Sequence, residues 1–288
     1  MTLPATDTTV TYPAGETTAS ATVVHVERIS PTRLAVLLDT TPCHPIDAGW
    51  PDQGPDHATL AWEEGTFEIT DCVVGATDGS ELFIGADIPV RRGTEGWAFV
   101  VVHLVADAPA EGAPVTVTVD ADHRNALSLG HTGCHLASLA LNRALASRWS
   151  KEVAPDALGS PSFEAAANES SRILERGSHD VYRIGRSLRK RGFVTEGLAD
   201  ALAEIEASVN RSLTDWMATD ARVRIDRDGA GLTDRRYWVC ELPEGEVSIP
   251  CGGTHAASLG ELGALRATLE LSEVEGALVL TMTTGVTD

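Results

Sequence analysis

Short, mainly apolar runs of β-type residues punctuate the polar background of the first 120 residues, at 21–29, 33–38, 66–74, 81–84, 97–105 and 114–119. Runs of this length rich in Val and Thr mark strands. Turn-forming clusters separate the runs, at 47–56 and at the Asp78-Gly79 pair. This spacing predicts a small all-β barrel or sandwich over residues 1–121. The nearly unbroken apolar run at 99–105 predicts a strand buried on both faces.

The pattern changes at Asp120. Leu127, Leu129, Leu136, Leu139, Leu141 and Leu145 fall mostly at helical spacing, with few β-branched residues and no Pro between 122 and 150. One long helix is therefore expected there. A Pro/Gly/Ser stretch at 154–162 precedes three further helical readings, at 163–176, 180–191 and 195–218. Gly192 would stop the second of these as a left-handed residue beyond its last turn. Strands return at 222–225, 237–242, 266–271 and 278–282. The expected architecture is α+β, with a β-barrel domain at 1–121 and an α/β domain with a helical insert at 122–288.

Two segments in the second domain carry chemistry: His131-Thr-Gly-Cys-His135 on the long helix, and Cys251-Gly-Gly-Thr-His255 in a loop after a strand. Helix positions i and i+4 share a face, so His131 and His135 can reach one ion. Cys251 and His255 offer a thiolate and a third imidazole at the same separation, and Gly252 and Gly253 free the loop backbone to fold around it. Nitrogen and sulfur donors without a carboxylate favour Zn2+. Four protein ligands usually close a structural site, whereas catalysis needs an open position, and the sequence leaves both roles open. Cys134 lies off the histidine face and reads as a buried small residue.

Composition narrows the partners. Lys and Arg number 22 against 42 Asp and Glu, a formal charge of −20, which excludes a surface that wraps nucleic acid throughout. One dense cationic stretch remains at 182–191, where Arg183, Arg186 and Lys190 would share a helical face with Arg189 beside them. Phosphate contact is one reading; opposition to a helix dipole is the other. The five cysteines form no CxxC pair, the start has no basic segment leading into an apolar one, and no run reaches the roughly 20 apolar residues of a membrane span. A soluble protein of the reducing cytoplasm, without a membrane partner, is expected.

The pairing of HxxxH with a distant CGGTH resembles the editing domain of alanyl-tRNA synthetase and its free-standing AlaX-type relatives, with a related fold in the threonyl-tRNA synthetase editing domain. The segment Thr41-Pro-Cys-His-Pro45, with Gly49-Trp-Pro51 and Asp52-Gln53-Gly54, is similar to that family's glycine-rich barrel loop. The resemblance implies a zinc-dependent hydrolase that cleaves the ester of a mischarged aminoacyl-tRNA in trans, releasing Ser or Gly. It makes His131, His135, Cys251 and His255 the ligands through which catalysis runs, and Thr41 the residue that recognises the amino-acid side chain. Gly49, Trp50, Thr132, Gly252 and Gly253 are the further candidates for substrate contact, and Arg183, Arg186, Arg189 and Lys190 those for tRNA. Cys43 stands where the family has an aromatic residue and Trp50 where it has Gln. These departures motivate a second reading, a deacylase for a threonine-like or noncanonical amino acid. A non-catalytic, zinc-stabilised RNA-binding module and a hydrolase of small esters or amides are the rivals from other classes.

Overall fold

The computed structural model describes residues 3–287. The chain divides into two compact units, one comprising Met1–Arg124, Ile225–Arg236 and Gly252–Thr254, the other Asn125–Arg224, Tyr237–Cys251 and His255–Asp288.

The strands of the first unit are β1 (Thr9–Val10), β2 (Thr18–Ser30), β3 (Arg33–Leu38), β4 (Thr40–Thr41), β5 (Ala58–Trp62), β6 (Gly65–Ile69), β7 (Asp71–Thr77), β8 (Leu82–Ile84), β9 (Ala98–Val105) and β10 (Pro114–Val119), of which β1, β4 and β5 lie outside the predicted runs. Eight of them form one sheet in the order β6-β5-β10-β2-β3-β9-β7-β8, and β1 pairs with β4. All of β9 is buried, as its apolar run requires. The expected barrel is corrected to an open sheet, because the edge strands β6 and β8 share no ladder. Thr70 joins β6, at one edge, to β7, next to the other edge, and both its N–H (2.7 Å) and its hydroxyl (3.0 Å) donate to the Leu104 carbonyl on β9. At the end of the unit, buried Arg124 is clamped to buried Asp56, its Nε donating at 2.7 Å, and its guanidinium also donates to the Pro42 carbonyl at 2.7 Å.

The second unit takes most of α1 (Ala121–Ala144), then α2 (Phe163–Ala167), β11 (Asn168–Leu174), β12 (Gly177–Ile184), α3 (Arg186–Lys190) and α4 (Leu198–Met217). The chain continues through β13 (Val223–Arg227), β14 (Arg236–Leu242), β15 (Gly245–Pro250), β16 (Ala264–Val274) and β17 (Ala277–Thr287). A four-stranded antiparallel sheet runs β11-β12-β17-β16. α1 seats on it through Gly130, where a Cβ would fall 2.3 Å from the Leu174 carbonyl and 2.5 Å from that of Gly177. Only glycine permits that backbone approach, and it sets the helix position one residue before His131. The β16 edge is covered by α4: Asn210 donates to the Ala267 carbonyl (2.8 Å) and accepts from its N–H (2.9 Å), and Glu206 accepts from Leu269 N–H (2.8 Å). Side chains thereby fill the positions a further strand would take.

The helical insert expected at 163–218 holds only at α4 and the short α2 and α3. Residues 168–184 are instead a hairpin, turned at Glu175 and Arg176, the latter with φ of 56°. Its inward positions on β12 include Ser178 and Asp180, polar residues that break the apolar alternation a strand normally shows. They are tolerated because Ser178 donates to Asp180 at 2.7 Å, and Asp180 also accepts from Ser171 and from Cys134 Sγ at 3.4 Å. Among the described residues no helix is long and apolar enough to cross a membrane.

Candidate metal centre

The two motifs meet in the second unit. α1 presents His131 and His135 one turn apart, and the segment after β15 returns Cys251 and His255 to the same place. Cys251 Sγ lies 3.4 Å from His131 Nε2 and 3.2 Å from His255 Nε2. Ring centroids are 4.9 Å apart for His131 and His135 and 4.4 Å for His131 and His255. One ligand atom from each of the four residues falls within 4.8 Å of every other. Tetrahedral coordination with metal–nitrogen bonds of about 2.0–2.1 Å and metal–sulfur bonds of about 2.3 Å places sulfur and nitrogen about 3.5 Å apart, close to the two separations found.

Two further observations fit a cation. His135 Nε2 is buried with no hydrogen-bond partner, a costly arrangement for a protein but the required one for a ligand lone pair. Burial, reinforced by neighbouring His131, holds the His135 pKa well below the usual histidine value, so its ring is neutral. The tautomer of His255 is fixed by Thr132. That hydroxyl has one hydrogen and lies 2.9 Å from the Ser128 carbonyl, which can only accept. Its lone pairs therefore take Ala256 N–H (3.1 Å) and His255 Nδ1–H (3.3 Å), leaving His255 Nε2 as the unprotonated nitrogen facing Cys251. Thr132 is fully buried, and its hydroxyl spends its hydrogen on the Ser128 carbonyl while its lone pairs face Ala256 and His255.

Trp238 on β14 was not singled out by sequence. Its ring lies 5.0 Å from His135 and 6.2 Å from His255 and walls that side of the centre. Its only signal was an aromatic residue at an inward position of a strand, which packing explains equally well. Gln53 was also passed over as a functional residue. In the first unit it is 1% exposed and grips Thr254 from both ends: Nε2 donates to Thr254 Oγ1 (2.9 Å), and Thr254 N–H donates to Gln53 Oε1 (3.0 Å). Thr254 directly precedes His255, so this clamp fixes the middle of the second motif.

The remaining predicted residues separate into buried and exposed groups. Thr41 is fully buried, its hydroxyl 2.8 Å from His103 Nε2. Gly49 sits in an exposed turn, its N–H donating to Asp47 Oδ1 at 2.8 Å, and Trp50 is 65% exposed. Gly252 is half-buried with open space where a Cβ would stand, and Gly253 is buried. The single cationic helix face is corrected: Arg183 lies on β12, ion-paired to Glu169 (3.8 Å) and Glu275 (3.6 Å), while Arg186, Arg189 and Lys190 lie on α3. Helical phase does not relate Arg183 to the others, because Gly185 begins a new element. Cys134 is buried as expected, but within the polar cluster around Asp180.

No family model matches the chain. It is 27% identical to alanine–tRNA ligase of Methanopyrus kandleri over 233 residues, 80% of this chain and 21% of the ligase. The ligase of Frankia casuarinae is 27% identical over 84% of this chain and 23% of its own length, and that of Chlorobaculum tepidum 27% over 90% and 26%. The chain therefore spans about a quarter or less of the relatives it matches.

Proposed function

We propose, from the premise that this chain is of the AlaX type and kin to the editing domain of alanyl-tRNA synthetase, that it is a zinc-dependent deacylase of mischarged aminoacyl-tRNA. The observation that carries this reading is the convergence of His131, His135, Cys251 and His255, from two motifs 120 residues apart, in a chain whose relatives are alanine–tRNA ligases. Three imidazoles and a thiolate form a borderline-to-soft donor set that suits zinc and disfavours magnesium or calcium. When bound, zinc supplies Lewis acidity toward a water or an ester carbonyl.

The chain's own residues supply position. His135 offers an otherwise unpartnered Nε2, Thr132 holds the His255 tautomer that leaves Nε2 free of its proton, and Trp238 keeps bulk water from that side. The Gln53 clamp restricts Thr254 and, through it, the approach of His255. In an ester already activated by its ribose leaving group, such positioning can provide much of the rate. By the resemblance, the 41–53 loop with Thr41, Gly49 and Trp50 selects the amino acid, with Gly252 and Gly253 offering backbone N–H groups. Arg186, Arg189 and Lys190 contact tRNA phosphates, and Arg183 contributes less because two glutamates already engage it. Removal of Ser or Gly is the primary reading. Cys43 in place of an aromatic residue favours a threonine-like amino acid as the second.

The test is a panel of tRNAs charged with serine, glycine, alanine, threonine and threonine analogues, incubated with zinc-loaded protein. Release of one amino acid supports editing and names the substrate. Tight binding without hydrolysis identifies an RNA-binding module instead, and cleavage of simple esters alone a small-molecule hydrolase.

A further inference from the structure

A second group of thiophilic side chains lies wholly within the first unit. Cys43, Cys72 and His103 are each 0% exposed, and one ligand atom of each lies within 4.8 Å of the others. Their convergence follows from register. Cys72 on β7 and His103 on β9 are directly opposed across an antiparallel ladder and so present their side chains on one face. Cys43 follows β4, and the chain just beyond it is fastened to β7 by Ile46 N–H donating to the Cys72 carbonyl at 2.9 Å.

The tautomer of His103 is that of a ligand. His103 Nδ1 lies 3.1 Å from the Val36 carbonyl, which only accepts, so Nδ1 carries the proton and Nε2 the lone pair. A histidine anchored through Nδ1–H to a backbone carbonyl, with Nε2 directed inward, is the usual outer-shell arrangement of a metal-binding imidazole.

We propose that Cys43, Cys72 and His103 form a second metal site, for a closed-shell thiophilic ion, either zinc or monovalent copper. On binding, the two sulfurs form metal–sulfur bonds and release whatever thiol protons they still carry to solvent, and His103 Nε2 exchanges the Thr41 hydroxyl for the ion. Zinc prefers a fourth ligand beyond these three, whereas monovalent copper is satisfied by two sulfurs and one nitrogen.

The test uses the full chain, loaded separately with zinc and, under anaerobic conditions, with zinc plus monovalent copper, then desalted. Metal is counted by mass spectrometry and sulfur coordination by X-ray absorption. Two zinc ions per chain, or one zinc and one copper, with more than one sulfur per ion on average, are expected. Cys43→Ser with Cys72→Ser removes one ion and leaves the other; Cys251→Ser with His255→Ala leaves an ion bound by two sulfurs. A single ion with one sulfur ligand in wild-type protein under both loadings overturns the proposal, as does an unchanged metal count in the Cys43/Cys72 double variant. The sulfur count of wild-type protein decides the matter even if that variant does not fold.

Discussion

Replacing Thr132 by Val keeps the side-chain shape and removes the oxygen that organises the second motif. The hydroxyl makes three contacts, to the Ser128 carbonyl, Ala256 N–H and His255 Nδ1. The Ser128 carbonyl loses little, since a helix carbonyl at that position retains its backbone partner. Ala256 N–H and His255 Nδ1–H both lose a buried acceptor, and each such loss costs about 1–3 kcal/mol. The contact to His255 is long at 3.3 Å and belongs at the low end, so the expected destabilisation is about 2–4 kcal/mol. Loss of the partner that orients a ligand histidine also lowers metal affinity by about 10- to 100-fold. Chelator competition reads the affinity, and urea unfolding at saturating zinc reads the stability. Thr132→Ser, which keeps the oxygen, should recover most of both. Thr132→Val with wild-type affinity and stability would show that the hydroxyl merely fills space and that the His255 tautomer is set elsewhere.

Arg124→Met strands the buried Asp56 carboxylate and is expected to cost about 3–5 kcal/mol in denaturant melts, with Arg124→Met/Asp56→Asn costing less than the two single changes together. Gln53→Ala removes both bonds to Thr254 and should weaken metal retention in chelator competition, whereas loss of fold stability alone with unchanged metal affinity would deny the clamp a role in the centre. His44 is buried, and burial depresses its pKa from 6.5 to about 4. Between these values the unfolded chain binds a proton that the folded chain refuses. His44 therefore favours folding fully above about 6.5 and progressively less toward pH 4, by about 1.4 kcal/mol per pH unit, and His44→Phe should flatten the stability profile by one proton over that window. Arg186→Ala with Lys190→Ala should weaken tRNA binding in filter assays and reduce the salt slope by up to about two, and an unchanged slope would remove α3 from the RNA contact.

The candidate metal-binding cluster was legible in sequence because its pattern is local: two i, i+4 pairs each carry two donor side chains, and only their meeting had to be supplied by the fold. Most strands of the first unit were legible as short apolar runs between turn residues, and β9 as an unbroken one because it is buried throughout. What sequence misplaced were features in which polar groups face inward. Ser178 and Asp180 disguised β12 as part of a helix, and only the cluster with Cys134 and Ser171 explains why a strand tolerates them. The same error carried Arg183 into a helical stripe with Arg186 and Lys190. The contact of Thr132 with His255 was not legible, because it spans 123 positions and emerges only when its hydrogen is traced to Ser128. Gln53 and His103 act through residues 201 and 62 positions away, to Thr254 and Thr41, and no local pattern announces such partners. That β6 and β8 stay unpaired edges is a matter of strand order, which strand counting does not register.

The central claim is that ester hydrolysis depends on an ion held by His131, His135, Cys251 and His255. Its most direct measurement is the single-turnover release of amino acid from mischarged tRNA by three samples: protein stripped of metal, the same protein restored with one equivalent of zinc, and zinc-treated His135→Ala. Hydrolysis in the restored sample alone, rising in proportion to zinc bound at the centre, is the predicted result. Equal rates in stripped and restored protein, or an undiminished rate in His135→Ala, would contradict it.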